Sequence, residues 1–161
     1  IIHVAPPQSA PDFIKNSPLA VPNNLYGWVD VDKETLQHNR YKNVFALGDA
    51  SSLPTSKTAA AVRKQAPVVA ANLLAFLSSA PLLSKYDGYT CCPVITGSDK
   101  TVMAEFDGYN CRPMSSFPLN PLKERWVMWL MKKHVLPWVY WNRMLKGERF
   151  EGDYIKFLQW R

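Results

Sequence analysis

Two stretches of this sequence carry side chains whose types and spacing suit chemistry. The first, YDGYTCCPVITG at residues 86–97, sets Cys91 and Cys92 side by side directly before Pro93. A thiolate becomes a nucleophile where its pKa is lowered and access is open, and a cysteine before proline is rigidly held. The same pair also fits a plainer use, as small hydrophobic strand residues. The second stretch, VFALGDASSLPTSKTAAAV at residues 44–62, has an apolar run ended by Gly48-Asp49 and a helix start near Lys57. Asp49 would project from the carboxyl end of a strand, where ligands of open α/β sheets collect, with a carboxylate able to accept from sugar hydroxyls. Lys57, Thr58, Ala59 and Ala60 would offer unpaired backbone N–H groups and the positive end of a helix dipole, and the small alanines would admit a flat ring. A simple turn at Gly48-Asp49, with the aspartate capping the loop, fits the same residues.

The elements that must position these groups follow from composition and period. With 161 residues, 47% hydrophobic and 20% charged, the chain falls in the range of one ordinary globular domain. Three cysteines, an odd number, disfavour a closed internal disulfide framework. No metal site is expected, because adjacent cysteines poorly supply a tetrahedral centre and His3, His38 and His134 lie in unrelated segments. No run reads as a membrane span. The opening at Ile1, with IIHV as an apolar strand already under way, reads as the start of a fragment.

Residues 5–24 hold five prolines and predict an extended loop without regular helix. Residues 25–43 predict a short strand or hairpin around Trp28, Val29 and Val31, and residues 44–48 a buried strand. A helix is expected from Lys57 to Ser79, capped by Thr55 or Ser56 and kinked at Pro67. Residues 86–117 return to short strands, TVMAEF the clearest. Residues 121–149 carry seven basic and two acidic side chains interleaved with Trp126, Trp129, Trp138, Tyr140 and Trp141, and Pro137 is expected to split them into two helices. Such pieces suit a membrane surface, with indoles at headgroup level, although a packed core uses similar stripes. The net charge of +6 leaves nucleic acid open in principle, but no recognisable module accompanies it and no such partner is expected.

The motif VFALGDASSLPTSKTAAAV resembles the second flavin-binding motif of flavoprotein disulfide reductases built on two dinucleotide-binding domains. Together with HVAPPQSAPD, GWVDVDKETLQ and YDGYTCCPVITG, it is similar to sulfide:quinone oxidoreductases of the mitochondrial type across essentially the whole chain. The resemblance implies an α/β fold. The chain would form the C-terminal part of a Rossmann-like FAD/NAD(P)-binding flavoprotein, followed by an amphipathic helical membrane-surface segment. It implies a division into residues 1–85, completing the FAD domain, residues 86–120, bearing the redox cysteine, and residues 121–161, forming the membrane and quinone helices.

The resemblance further implies FAD as cofactor, with Gly48, Asp49, Lys57, Thr58, Ala59 and Ala60 binding it. Cys92, or less favourably Cys91, would be the redox cysteine, paired in a disulfide with one upstream. Lys132 would be the quinone-site candidate. The implied partners are hydrogen sulfide, ubiquinone, a sulfur acceptor such as glutathione or sulfite, and the membrane surface. The implied location is peripheral on the mitochondrial inner membrane. No Gly-rich dinucleotide fingerprint is found, so that half is expected upstream, and the chain alone is expected neither to hold FAD tightly nor to turn over. A type II NADH:quinone dehydrogenase shares the flavin motif and membrane tail but needs no cysteine pair. A non-catalytic membrane-surface module needs only the tail.

Overall fold

The computed structural model describes residue 2, residues 4–114, residue 120 and residues 122–148. Expectations for Ile1 and His3, for 115–119, and for the tail beyond 148 lie outside the described residues. The chain divides into two compact units, Ile1–Gly88 and Tyr89–Arg161.

The first unit is built around α2, Ala59–Leu77, whose buried face is Ala61, Gln65, Val68 and Asn72. Spacings of four, three and four residues place these four on one side of an α-helix. Thr58 caps the start from extended backbone, its hydroxyl accepting from the Ala61 N–H at 3.2 Å. The cap is thus later than Thr55 or Ser56, because Thr58 is the residue whose side chain reaches an orphan amide. The helix runs on through Pro67 as one element.

Against it pack irregular segments joined by single bridges rather than strands. Ala20 bridges Val29, Val29 bridges Ser51, Val31 bridges His38 and Gln37 bridges Phe45. The strand expected at 44–48 is therefore corrected to an extended segment with one bridge, since an apolar run builds no ladder without a neighbour alongside it. The strand or hairpin expected over 25–43 is likewise reduced to bridges, folded back at a turn that the Asp32 carboxylate organises. Its Oδ1 accepts from the Glu34 and Thr35 N–H groups at 3.1 and 2.8 Å. Leu36 leaves that turn at φ +64° and is fully buried. A left-handed leucine costs about 1–2 kcal/mol, and burying its side chain returns about as much or more.

His38 is fully buried as well. Its Nδ1 accepts from the Arg40 and Tyr41 N–H groups at 3.0 and 3.1 Å, which leaves Nε2 to donate to the Leu19 carbonyl at 3.0 Å. The proline-rich loop contains one short helix that was not expected, α1 at Asp12–Lys15. Pro11 precedes its first turn, where a missing N–H costs nothing, and no proline interrupts the four residues.

The second unit holds a three-stranded antiparallel sheet in the order β1, Thr90–Gly97, then β2, Lys100–Asp107, then β3, Arg112–Pro113. The register pairs Cys91 with Glu105, Cys92 with Ala104 and Pro93 with Met103. Strands around TVMAEF are as expected. The chain then forms α3, Trp126–Leu130, a π-helical turn, Met131–Val135, and α4, Leu136–Asn142. A backbone pair fastens the start of α3 to β2, with Thr101 N–H to the Arg125 carbonyl at 3.2 Å and the reverse at 3.0 Å. Pro137 does not split the segment. It sits in the first turn of α4, and the wider π turn just before it accommodates the N–H that proline lacks. Among the described residues, no helix is long and apolar enough to cross a membrane.

Candidate functional site

In the first unit the site grows from the Gly48 turn. Gly48–Ala50 forms a single 3₁₀ turn, with Gly48 at φ +64°. Its carbonyl accepts from the Ser51 hydroxyl at 2.7 Å, and its N–H donates to Gln65 Oε1 at 2.8 Å. A Cβ at this position would stand 3.1 Å from Val62 Cγ2. Gly48→Ala combines that crowding with a left-handed backbone, and is expected to cost about 1–2 kcal/mol. The expected result is a lower melting midpoint of the full-length protein, with a surface alanine substitution as the comparison.

Lys57 closes the loop that follows. Its ammonium donates to the Ser51 carbonyl at 2.6 Å and lies 4.3 Å from the centre of the Trp28 ring. Burial holds this lysine below its ordinary pKa, and the Asp49 carboxylate partly offsets that. Gly48, Lys57, Thr58, Ala61 and Gln65 line one recess of about 170 Å³, open to solvent. The recess is shallow and encloses no cavity of its own.

Ala59 and Ala60 form the first turn of α2, where helix geometry leaves N–H groups without partners inside the helix. Asp49 is exposed and does not line the recess. An exposed carboxylate, a turn without a Cβ and a helix start with methyl side chains thus follow one another along this segment.

In the second unit, strand alternation separates the two cysteines. Cys91 is buried and Cys92 is exposed. Successive side chains of a strand point to opposite faces, so two neighbouring sulfurs cannot both be presented to one ligand. Lys132, in the π turn, donates to the Pro93 carbonyl at 2.6 Å. The lysine and the cysteine strand, 39 residues apart in this contact, thus meet one residue from Cys92.

Gln65 was missed from the sequence, although it lies on the buried face of α2 that Ala61, Val68 and Asn72 define. A polar residue on a helix's apolar stripe is the signal that could have found it, because a buried amide needs partners. The Lys57–Trp28 and Lys132–Pro93 contacts carry no such local signal.

No family model matches the chain. It is 50% identical over 147 residues to a mitochondrial sulfide:quinone oxidoreductase of Mus musculus, covering 91% of this chain and 32% of that protein. It is also 50% identical to the protein of that name in Dictyostelium discoideum, covering 93% and 32%, and 40% identical to that of Schizosaccharomyces pombe, covering 95% and 34%. Among solved structures, a chain in the cryo-EM structure of the Tetrahymena thermophila mitochondrial ATP synthase matches with a TM-score of 0.70 and 29% identity, covering 81% of this chain and 31% of that one. The chain spans about a third of the length of the curated relatives it matches. By sequence, over nearly all of its residues, it is similar to the mitochondrial sulfide:quinone oxidoreductases of these three organisms.

Proposed function

We propose that the full-length protein is a mitochondrial flavoenzyme, peripheral on the inner membrane, that oxidises hydrogen sulfide to sulfane sulfur and delivers two electrons to ubiquinone. The observation that carries this reading is the solvent-facing Cys92 beside a buried Cys91, in a chain half identical to proteins of that name. The fold proposed for the whole is two Rossmann-like dinucleotide-binding domains, to which the Gly48 turn and α2 contribute the second flavin motif.

Asp49, Gly48 and the first turn of α2 from Thr58 to Ala60 would hold FAD, with the Asp49 carboxylate as a hydrogen-bond acceptor for its sugar hydroxyls. Lys57 holds the intervening loop in place through Ser51 and Trp28. Cys92 forms a disulfide with a cysteine elsewhere in the full-length protein. Hydrosulfide attacks that disulfide; one S–S bond breaks as another forms, leaving a persulfide on one cysteine and a thiolate on the other. An acceptor such as glutathione or sulfite takes the terminal sulfur. Both cysteines are then thiolates, and re-forming their disulfide gives up two electrons; bound FAD would supply the two-electron acceptor chemistry that links this step to ubiquinone.

Exposed Trp126, Trp138, Tyr140, Trp141 and Leu145 support attachment to a lipid surface, from which a quinone would reach Lys132. The full-length protein is expected to co-sediment with anionic liposomes, and a form lacking residues 121–161 to remain in the supernatant.

The decisive experiment is anaerobic: purified full-length protein should be yellow, bleach on adding sulfide and recover on adding ubiquinone. A colourless or sulfide-inert preparation would overturn the reading. A type II NADH:quinone dehydrogenase would instead bleach with NADH and be indifferent to Cys92. A non-catalytic module within a mitochondrial membrane complex, for which the similarity to the ATP synthase chain is the supporting observation, would carry no flavin.

A further inference from the structure

We infer that Lys132 is a positioning residue for Cys92, acting as a strut that fixes the outer edge of β1. The inference rests on the proposed role of Cys92. It begins with Pro93, which has no N–H to give a ladder and stands in β1 opposite Met103. In an antiparallel pair the N–H and C=O of one residue point to the same side, and proline is tolerated where that side faces away from the partner strand. β1 lies at one end of the sheet order, so the Pro93 carbonyl projects from an edge with no strand beside it among the described residues. Lys132 takes that carbonyl at 2.6 Å.

The strut has a fixed foot. Arg125 and Thr101 exchange backbone hydrogen bonds, which anchors the start of α3 to β2. From there α3 leads into Met131–Val135, where the helix widens to a π turn. Such turns are uncommon and are found frequently at functional sites. β2, α3, the π turn, Lys132 and Pro93 therefore close a ring around the hairpin edge that carries Cys92. A hydrogen bond from an ammonium is stronger than one between neutral groups, so this closure is firm. Attack on a disulfide needs aligned sulfur atoms, and a displacement of about 1 Å in such a geometry can cost about a hundredfold in rate.

Two arms test the strut, both on full-length protein. In the first, hydrogen exchange of a peptide spanning residues 90–97 is compared for the parent, Lys132→Met and Lys132→Arg. The methionine variant should exchange about tenfold faster, and the arginine variant, which can still donate to the carbonyl, should exchange at the parental rate. In the second, flavin bleaching by saturating sulfide is followed by anaerobic stopped flow without quinone. Lys132→Met should bleach ten- to a hundredfold more slowly at unchanged sulfide dependence, with Lys132→Arg close to the parent.

Parental bleaching and exchange in Lys132→Met, with only reoxidation by quinone impaired, would overturn the inference and leave Lys132 a quinone contact. Faster exchange with undiminished bleaching would also overturn it, since the strand would then be held for stability alone. If the parent itself does not bleach with sulfide, the proposed function fails. That outcome is distinct from a parent that bleaches and a methionine variant that matches it.

Discussion

Cys92→Ser in the full-length protein is expected to lower sulfide-dependent ubiquinone reduction on the order of a thousandfold or more, whereas Cys91→Ala should stay within about threefold of the parent. The asymmetry follows from the strand. Cys92 is exposed on β1, where a sulfur can be reached by hydrosulfide and by a partner cysteine. Cys91, one residue earlier, is buried on the other face, and its loss removes a small packed side chain rather than a reacting atom. Serine at position 92 keeps the size of the side chain but forms no disulfide, so the loss measures chemistry and not folding. Steady-state rates with matched flavin content check this. A Cys92→Ser protein keeping most of its rate, or a Cys91→Ala protein losing it, would transfer or remove the assignment.

The largest expected effect on stability lies at Asn72. Its amide nitrogen donates to the Thr35 and Ser84 carbonyls, both at 2.9 Å, and its oxygen accepts from the Ser84 N–H at 3.2 Å. The side chain is 1% exposed. One residue of α2 thus stitches the helix to the turn at 32–36 and to the segment that follows the helix. Asn72→Leu keeps the number and branching of side-chain heavy atoms and leaves three backbone groups unpaired, each costing about 1–3 kcal/mol, so a net loss of about 3–5 kcal/mol is expected after the gain from a buried leucine. The full-length protein should melt several degrees lower. Leu74→Ala, at an exposed position of the same helix, should move the midpoint far less. Equal shifts for the two would show that the amide contributes no more than an ordinary surface side chain.

Local rules made much of this legible. The strands β1 and β2 were readable as short strands separated at Gly97, TVMAEF the clearest, and α2 from its capping residues and the alanines from Ala59 to Ala61. The apolar run at 44–48 was misread as a strand because its period is right while its partner is not supplied by the residues beside it. α1 was overlooked because proline content was counted over the whole loop, although four residues between Pro11 and Pro18 suffice for one helical turn. Pro137 was read as a break because its effect was judged on α-helical geometry, and a π turn absorbs it without ending the helix.

From the amino-acid order alone came the residues able to react or to approach a cofactor: Cys91 and Cys92, the Gly48-Asp49 turn, and the helix start from Lys57 to Ala60. These depend on neighbours within a few positions, through backbone freedom, capping and side-chain type. Tertiary structure decided which cysteine faces outward, that Gln65 holds the Gly48 amide, and that Lys132 grips the Pro93 carbonyl. Alternation guarantees that adjacent strand residues differ in face but not which face is covered, and a hydrogen bond between residues 17 or 39 positions apart exists only once packing has brought its ends together.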